Sequence, residues 1–503
     1  MSAMRTLAPV AAAVLACSLV VLALVLAGSS PKRALAEKGE RERPTAITGV
    51  TVVDPKTGER RADQTILVEQ GRIARIAPTN ELEVDPRARV VDASGKWAVP
   101  GLVDAHVHFF QSGGPYTRPD VVDLRARFPY EEEIARTRRK IPATLERWLA
   151  SGVTAVADLG GGSWTYDVRS IARRRDAAPH VAVAGRLIST IGADELDTGD
   201  PPVVRAKSPT HAAALAREEL ARDPDFLKFW FVHERGADLD AEAELVRAVA
   251  DVAHRAGKRL VVHATELDTA TAALRAGADV LAHSVEDRPV DETFLRLARE
   301  RDAVYIPTLW VGRGYQVALS GEYAPTEVER RLGDPEIVAE LRGTGGLRAP
   351  AHPSTRIASE NLRRVWDAGI TVAVGSDAGN IGTLHGPGYF REIEMLSRAG
   401  LSPREVLLAA TVNGARVMGR SGTIGALEPG WIADIVLLDA DPLEDARNLA
   451  RVHRVVRGGK VFDPETLVPE PSTPHEQHTR RSGSDRHAPC DEPCALHGRA
   501  ELD

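Results

Sequence analysis

Apolar and polar residues alternate along the first strand-like stretches of this 503-residue chain. In ITGVTVVD, DQTILVEQGRIARIAP and ARVVDASGKWAVPG, between residues 46 and 99, Val and Ile are set against polar neighbours. That is the period-2 pattern of half-buried strands. Pro55-Lys56-Thr57-Gly58 punctuates the first pair, and Gly71 sits where a tight hairpin turns. The stretch predicts a small β unit. From Val99 the pattern changes to short apolar runs separated by amphipathic segments. The runs at 99–108, 153–158, 181–186, 226–231, 259–263, 279–283, 304–308 and 371–377 predict eight strands. Helical periodicity fills 131–150, 166–176, 209–222, 241–256, 268–275, 291–301 and 355–368. Glycines 152, 257, 277 and 369 stand just before strands, as left-handed helix caps do. Two further helices are expected at 389–399 and 403–418, and strands again at 434–438 and 452–461.

Strands alternating with helices predict a parallel sheet, and eight such units predict a closed (β/α)8 TIM barrel. The expected organisation is therefore α/β. A barrel at 101–420 is inserted in a small composite β-sandwich made of 45–100 and 421–464. A segment at 1–44 and a tail at 465–503 flank it. The loop at 309–353, after the seventh strand, is long and rich in Gly and Pro, as lids, binding loops and disordered segments are.

The two ends differ from the body. Residues 7–27 are apolar apart from Pro9 and Ser18, with Arg5 ahead, long enough to span a bilayer. The chain is expected to be exported, either membrane-anchored through this segment or secreted or periplasmic after removal of a signal peptide near Ala34-Leu35-Ala36. Lipidation at Cys17 is a third route. The tail carries His475, His478, His487, His497, Cys490 and Cys494 in a Pro-, Ser- and charge-rich stretch that cannot bury a core. A tail metal site or a local disulfide are its two chemical readings.

Composition is that of an ordinary globular protein, 43% hydrophobic and 27% charged. The net charge of −7 argues against nucleic acid as a partner.

The chemistry gathers around VPGLVDAHVHF, residues 99–109. Residues two apart on a strand share a face, so His106 and His108 point the same way, with Asp104 on that face too. Two strand histidines held by hydrogen bonds would look the same; the other strand ends decide between the readings. Lys228 lies on the fourth strand, His263 ends the fifth, His283 the sixth and Asp377 the eighth. A barrel gathers such positions into one site. Lys228 stands among Leu227, Phe229, Trp230 and Phe231. Burial there disfavours its charge, and a neutral amine can take up CO2 to give a carbamate with two oxygens. A lysine reaching solvent is the plainer alternative. Around the site, His385, Tyr305 and Arg313 are candidate substrate contacts, with Thr308 and His233 behind them; Asp104 reads as a supporting residue.

With these pieces in place the chain resembles the amidohydrolase superfamily, near its imidazolonepropionase-like and prolidase-like branch. The matching pieces are VPGLVDAHVH, Lys228 in DFLKFWF, VVHATELDTATAALRAGADVLAHSVED, TVAVGSDAG, LLAATVNGARVMG and IGALEPGWIADIVLLDADP. DFLKFWF is bulkier after its lysine than the family pattern. The resemblance implies two divalent metal ions, zinc by expectation, with manganese, iron and nickel also suited to the ligand set. It implies one ion on His106, His108 and Asp377, a second on His263 and His283, and a carboxylated Lys228 bridging them. The implied activity is hydrolysis of an amide, cyclic amide or dipeptide C–N bond by metal-activated water, with Asp377 as the catalytic proton carrier. An esterase or lactonase using the same centre is the alternative, and an inactive metal-binding relative a more distant one. A small molecule or dipeptide is the implied partner; substrate identity and oligomeric state stay open.

Overall fold

The computed structural model describes residues 43–349 and 355–468. The apolar segment 7–27 and the His- and Cys-bearing tail lie outside the described residues. Among the described residues, no helix is long and apolar enough to cross a membrane.

Alternating side chains build the first sheet. β1 (Thr45–Val53), β2 (Arg60–Glu69) and β3 (Arg72–Pro78) run antiparallel, with Ile66 opposite Ile47 on one side and Ile76 on the other. Ile47, Val50, Val52, Ile66, Val68 and Ile73 bury one face. Gln70 and Gly71 make the turn into β3 with φ of +50° and +73°. Two consecutive left-handed residues match the twist of the flanking strands. Glycine is needed at 71 for space as well, since the Gly458 carbonyl oxygen lies 3.0 Å from where a Cβ would stand. β4 (Arg89–Asp92) and β5 (Trp97–Pro100) pair with β1 in parallel.

From Leu102 the strands are short, parallel and buried on both faces. β6 (Leu102–Val107), β7 (Val153–Asp158) and β8 (His180–Val183) form one sheet in that order. A second sheet contains β9 (Leu187–Ser189), β10 (Val203–Arg205), β11 (Leu227–Trp230), β12 (Leu260–His263), β13 (Val280–Ala282), β14 (Val304–Ile306) and β15 (Thr371–Val372), in the order β10-β9-β11-β12-β13-β14-β15. Backbone hydrogen bonds join the two sheets. Ala105 N–H donates to Val374 O and Asp377 N–H to His106 O, both at 2.8 Å, and Asp225 N–H donates to Val183 O at 2.9 Å. Inward-facing Val103, Ala105, Ala155, Val261, Val280, Ala282, Val304 and Ile306 pack together, and the helices cover the outer faces. Burial on both faces is why these strands read as near-continuous apolar runs.

β16 (Ile435–Leu438), β17 (Val452–Arg457) and β18 (Lys460–Phe462) return to the first sheet. Its order is β18-β17-β16-β5-β1-β2-β3, with Val436 opposite Val99. Strands from both ends of the described chain thus share one mixed sheet.

Two segments differ from the expected pattern. The stretch after β14 is not a bare loop: it holds helices Trp310–Ser320, Glu327–Leu332 and Pro335–Gly343. A reciprocal capping box between Thr326 and Glu329 starts the second, and Asp334 caps the third ahead of Pro335. Tyr315, Ala318, Leu319, Ile337 and Leu341 bury together beneath them. The expected helix 403–418 is interrupted by a π-turn, Ala409–Asn413. The wider turn turns the Ala409 carbonyl outward to accept from Val374 N–H (3.2 Å), and Asn413 Nδ2 donates to Val372 O (2.8 Å), which pins the segment to the last parallel strand.

Candidate metal centre

The C-terminal ends of β6, β12, β13 and the chain after β15 carry the polar side chains of one site. His106 Nε2 and His108 Nε2 stand 3.3 Å apart. Asp377 Oδ1 is 3.3 Å from the first and 3.2 Å from the second. These three ligating atoms form one cluster within 4.8 Å. The His283 ring centroid lies 4.9 Å from that of His106 and 4.3 Å from that of His263. Lys228, His263 and His283 line the same cavity as His108 and Asp377. The structure therefore brings all six expected ligand positions to one place. His283 and Asp377 hold φ of +77° and +56°, and Thr308, whose Oγ1 is 2.7 Å from His283 Nδ1, holds +45°. Left-handed backbone is unfavourable for such residues and is found where side-chain placement requires it.

Electrostatics favour the ligating forms. Burial, with the nearby Lys228 next, drives the pKa values of His106 and His263 well below the usual imidazole value. Burial lowers Lys228 to about 7 against the opposing charge of Asp377. His108 Nδ1 lies 2.7 Å from Gly160 O, an acceptor only. Nδ1 therefore carries the proton, and in the neutral ring Nε2 offers a lone pair. Asp377 Oδ1 and Lys228 Nζ are buried with no hydrogen-bond partner among the described residues. Leaving such atoms unsatisfied costs about 1–3 kcal/mol each or more. Two imidazoles, a carboxylate and an orphaned amine in one buried cluster fit a divalent cation.

Asp104 supports the cluster from behind. Its Oδ1 accepts from His106 N–H (3.1 Å) and Ser376 N–H (3.0 Å), and its Oδ2 from Ser376 Oγ (2.5 Å). It thereby locks the strand of the two histidines to the strand end bearing Asp377. Gly375 lets these strands approach: a Cβ there would stand 2.4 Å from Ile306 Cγ2 and 2.7 Å from His106 Cβ. Gly375→Val is expected to push His106 out of register, so that metal content and activity fall together in elemental analysis and rate assays, while the circular dichroism of the purified protein stays α/β.

The chain matches the model of the amidohydrolase family over residues 97–462. The chain belongs to the amidohydrolase family. It is 27% identical over 456 residues to an imidazolonepropionase of Symbiobacterium thermophilum, covering 82% of this chain and 95% of the relative. It is 28% identical over 416 residues to a 5-methylthioadenosine/S-adenosylhomocysteine deaminase of Natronomonas pharaonis, covering 78% of this chain and 84% of that one. The fold matches the crystal structure of a Xaa-Pro dipeptidase with a TM-score of 0.64 at 23% identity, over 84% of this chain and 100% of that one. This amidohydrolase is thus an enzyme acting on carbon–nitrogen bonds, in a family that uses divalent metals.

The cavity of the amidohydrolase, about 130 Å3, has an apolar wall of Phe110, Leu187, Leu196, Val203 and Trp230. Its polar wall includes three residues that the sequence did not single out, Gln111, Arg118 and Asn380. Arg118 pairs with Asp120 through Nε (2.8 Å) and Nη2 (2.6 Å), and its Nη1 donates to Asn380 Oδ1 (2.8 Å) and Tyr315 Oη (3.2 Å). Tyr315 Oη also donates to Asn380 Oδ1 at 2.7 Å. A guanidinium only donates, so the Asn380 oxygen faces it and Nδ2 turns away, donating to Asp377 O at 3.2 Å. These partners come from three distant segments, and the only sequence signal was the position of Asn380 three residues after Asp377.

Three expected substrate contacts are corrected. Tyr305 points outward from β14: its hydroxyl accepts from Val285 N–H (2.9 Å) and its ring packs against Phe294. Its neighbours Val304 and Ile306 take the inward positions, as period-2 alternation requires. Arg313 is exposed on helix Trp310–Ser320, whose buried side is formed by Trp310, Gly314, Val317 and Ala318. His385 is buried behind the cavity wall, stacked on Phe109 with Nε2 2.8 Å from Gln111 O, and burial lowers its pKa to about 4. It orders the loop that carries Gln111. His233 sits apart as well, paired to Glu242 at 2.6 Å.

Proposed function

We propose that this protein hydrolyses an amide-type C–N bond of a small molecule or dipeptide at a binuclear metal centre. The observation that carries the reading is the convergence of His106, His108 and Asp377, with Lys228, His263 and His283, on one buried cavity. Backbone hydrogen bonds from β6 to the chain after β15, and from just before β11 to β8, support a closed (β/α)8 barrel over 101–420, with the strand-end site at its mouth. Pairing of β5 with β16 supports one β unit assembled from 45–100 and 421–464.

In this reading His106, His108 and Asp377 would hold one ion and His263 and His283 a second, and Lys228, as a carbamate formed from its neutral amine and CO2 with loss of a proton, would add anionic oxygen ligands. When bound, the ions supply Lewis acidity and lower the pKa of water to about 7. The chain does the remaining work. Asp377 takes a proton from the attacking water and delivers it to the leaving nitrogen. The apolar wall excludes water from one side of the substrate. Arg118 and Tyr315 hold Asn380 by Oδ1, and the Nδ2 hydrogen not given to Asp377 O is a donor for a substrate carbonyl or carboxylate oxygen. Hydrolysis of dipeptides, N-acyl amino acids, cyclic amides and lactones by zinc- and manganese-loaded protein tests the reading. Amide or dipeptide turnover is expected to dominate; turnover confined to lactones and esters would overturn it. Export, through anchoring or signal cleavage at the apolar segment 7–27, is proposed with it, and cell fractionation that finds an intact N-terminus in the cytoplasm would contradict it.

A further inference from the structure

A second cavity, of about 140 Å3, lies at the N-terminal end of β8 and just before β11, the strand ends opposite those that carry the metal ligands. Arg173, Arg420 and Arg457 line it, with His180 and Asp225. These residues come from the end of helix Thr165–Arg173, from the segment that follows the last helices, and from β17 in the first sheet.

The local carboxylates are already engaged. Asp225 Oδ2 accepts from Arg169 Nη1 (2.8 Å) and Val183 N–H (2.9 Å). Asp434, next to the cavity, bonds to His180 Nε2 (2.8 Å) and accepts from Gly458 N–H (2.8 Å). Arg457 Nη2 donates to His180 Nδ1 (3.1 Å), so the ring carries its proton on Nε2 and is the neutral tautomer. The cations are less well satisfied. Arg457 Nε is buried with no partner among the described residues. The Arg420 and Arg173 side chains have no hydrogen-bond or ion-pair partner among the described residues. Burial, and the charges of Arg457 and Arg173, hold the Arg420 pKa below its usual value in spite of Asp434 and Asp225. Three guanidinium groups face one polar cavity, and apart from the Arg457 Nη2 bond to His180 their side-chain N–H groups have no acceptor among the described residues. Forked N–H pairs match the oxygens of a tetrahedral oxyanion.

We propose that this cavity binds a phosphate group, as inorganic phosphate or a small phosphomonoester, held by Arg420 and Arg457 with Arg173 at its mouth. The anion bridges guanidinium groups from three segments, so it stabilises the fold by linkage rather than entering the reaction.

Thermal melting of the metal-loaded full chain in about 10 mM phosphate, against chloride at equal ionic strength, tests this. Phosphate is expected to raise Tm by about 2 °C or more. Arg420→Gln is expected to abolish that rise and leave the hydrolysis rate unchanged. Arg173→Gln, at the exposed mouth, is expected to weaken the rise and serves if Arg420→Gln folds poorly. The His106→Ala, His108→Ala double variant, which lacks two of the metal ligands, is expected to keep it. Glycerol phosphate in place of phosphate reports whether a phosphomonoester also fits; a rise with either supports the site. A rise no larger than with chloride for both ligands, a rise that survives both arginine variants, or one lost in the His106→Ala, His108→Ala double variant because phosphate sits at the metal centre, would overturn the proposal.

Discussion

Asp377→Asn is expected to lower amide turnover by about 10²-fold or more. Asp377 stands on the cavity wall with Oδ1 between His106 and His108, and its backbone N–H is tied to His106 O. An amide nitrogen is a poor leaving group until it is protonated. A carboxylate at this position can receive the proton that water loses on attack and pass it to that nitrogen, acting first as base and then as acid. Asparagine keeps an oxygen beside the two imidazoles but cannot carry the proton. Metal content should therefore fall modestly while turnover falls steeply. An ester with a good leaving group needs less protonation and should suffer less than the matching amide. Rates on such a pair, with metal measured on the same samples, check this. Equal amide turnover by wild type and variant would mean that the proton travels by another route.

Lys228→Ala is expected to reduce bound metal from about two ions per chain to about one and to remove most of the activity, with the fold intact. The argument rests on burial. Lys228 is almost fully buried facing the cavity, and its Nζ has no hydrogen-bond partner among the described residues. An ammonium in that setting is strongly disfavoured, which is why its pKa falls to about 7. Such an amine is poised for carboxylation, and a carbamate would return a negative charge where His263 and His283 cannot supply one. Elemental analysis of both proteins decides the point. A single ion in the wild type and full activity in Lys228→Ala would remove the bridge from the mechanism.

Much of the site was legible because strands impose parity. His106 and His108 share a face by their spacing, and each of the other ligand positions follows a short apolar run that could be placed as a strand. The same rule, carried one step further, excludes Tyr305: Val304 and Ile306 take the inward places, so the residue between them must face the helices. Arg313 was misplaced because a stretch read as an open loop is a helix, and its register turns that side chain to solvent. The Arg118–Tyr315–Asn380 cluster left one sequence signal, the position of Asn380 three residues after Asp377. Its members are far apart in sequence, and nothing local distinguishes an arginine that orients an asparagine from one on the surface. The expected strand-helix alternation agrees with the parallel sheets because long amphipathic helices and short buried strands have distinct periods. The capping box at Thr326 and Glu329 was the local signal that the long loop was helical.

The most direct test of a metal-dependent C–N hydrolase is the release of amine from a dipeptide or N-acyl amino acid panel by chelator-stripped protein before and after divalent metal is restored. Stripping is expected to abolish amine release, and added zinc or manganese to restore it in wild type but not in a His106→Ala, His108→Ala double variant. Amine release that continues at the full rate in the stripped protein, or that is restored equally in the double variant, would contradict the assignment.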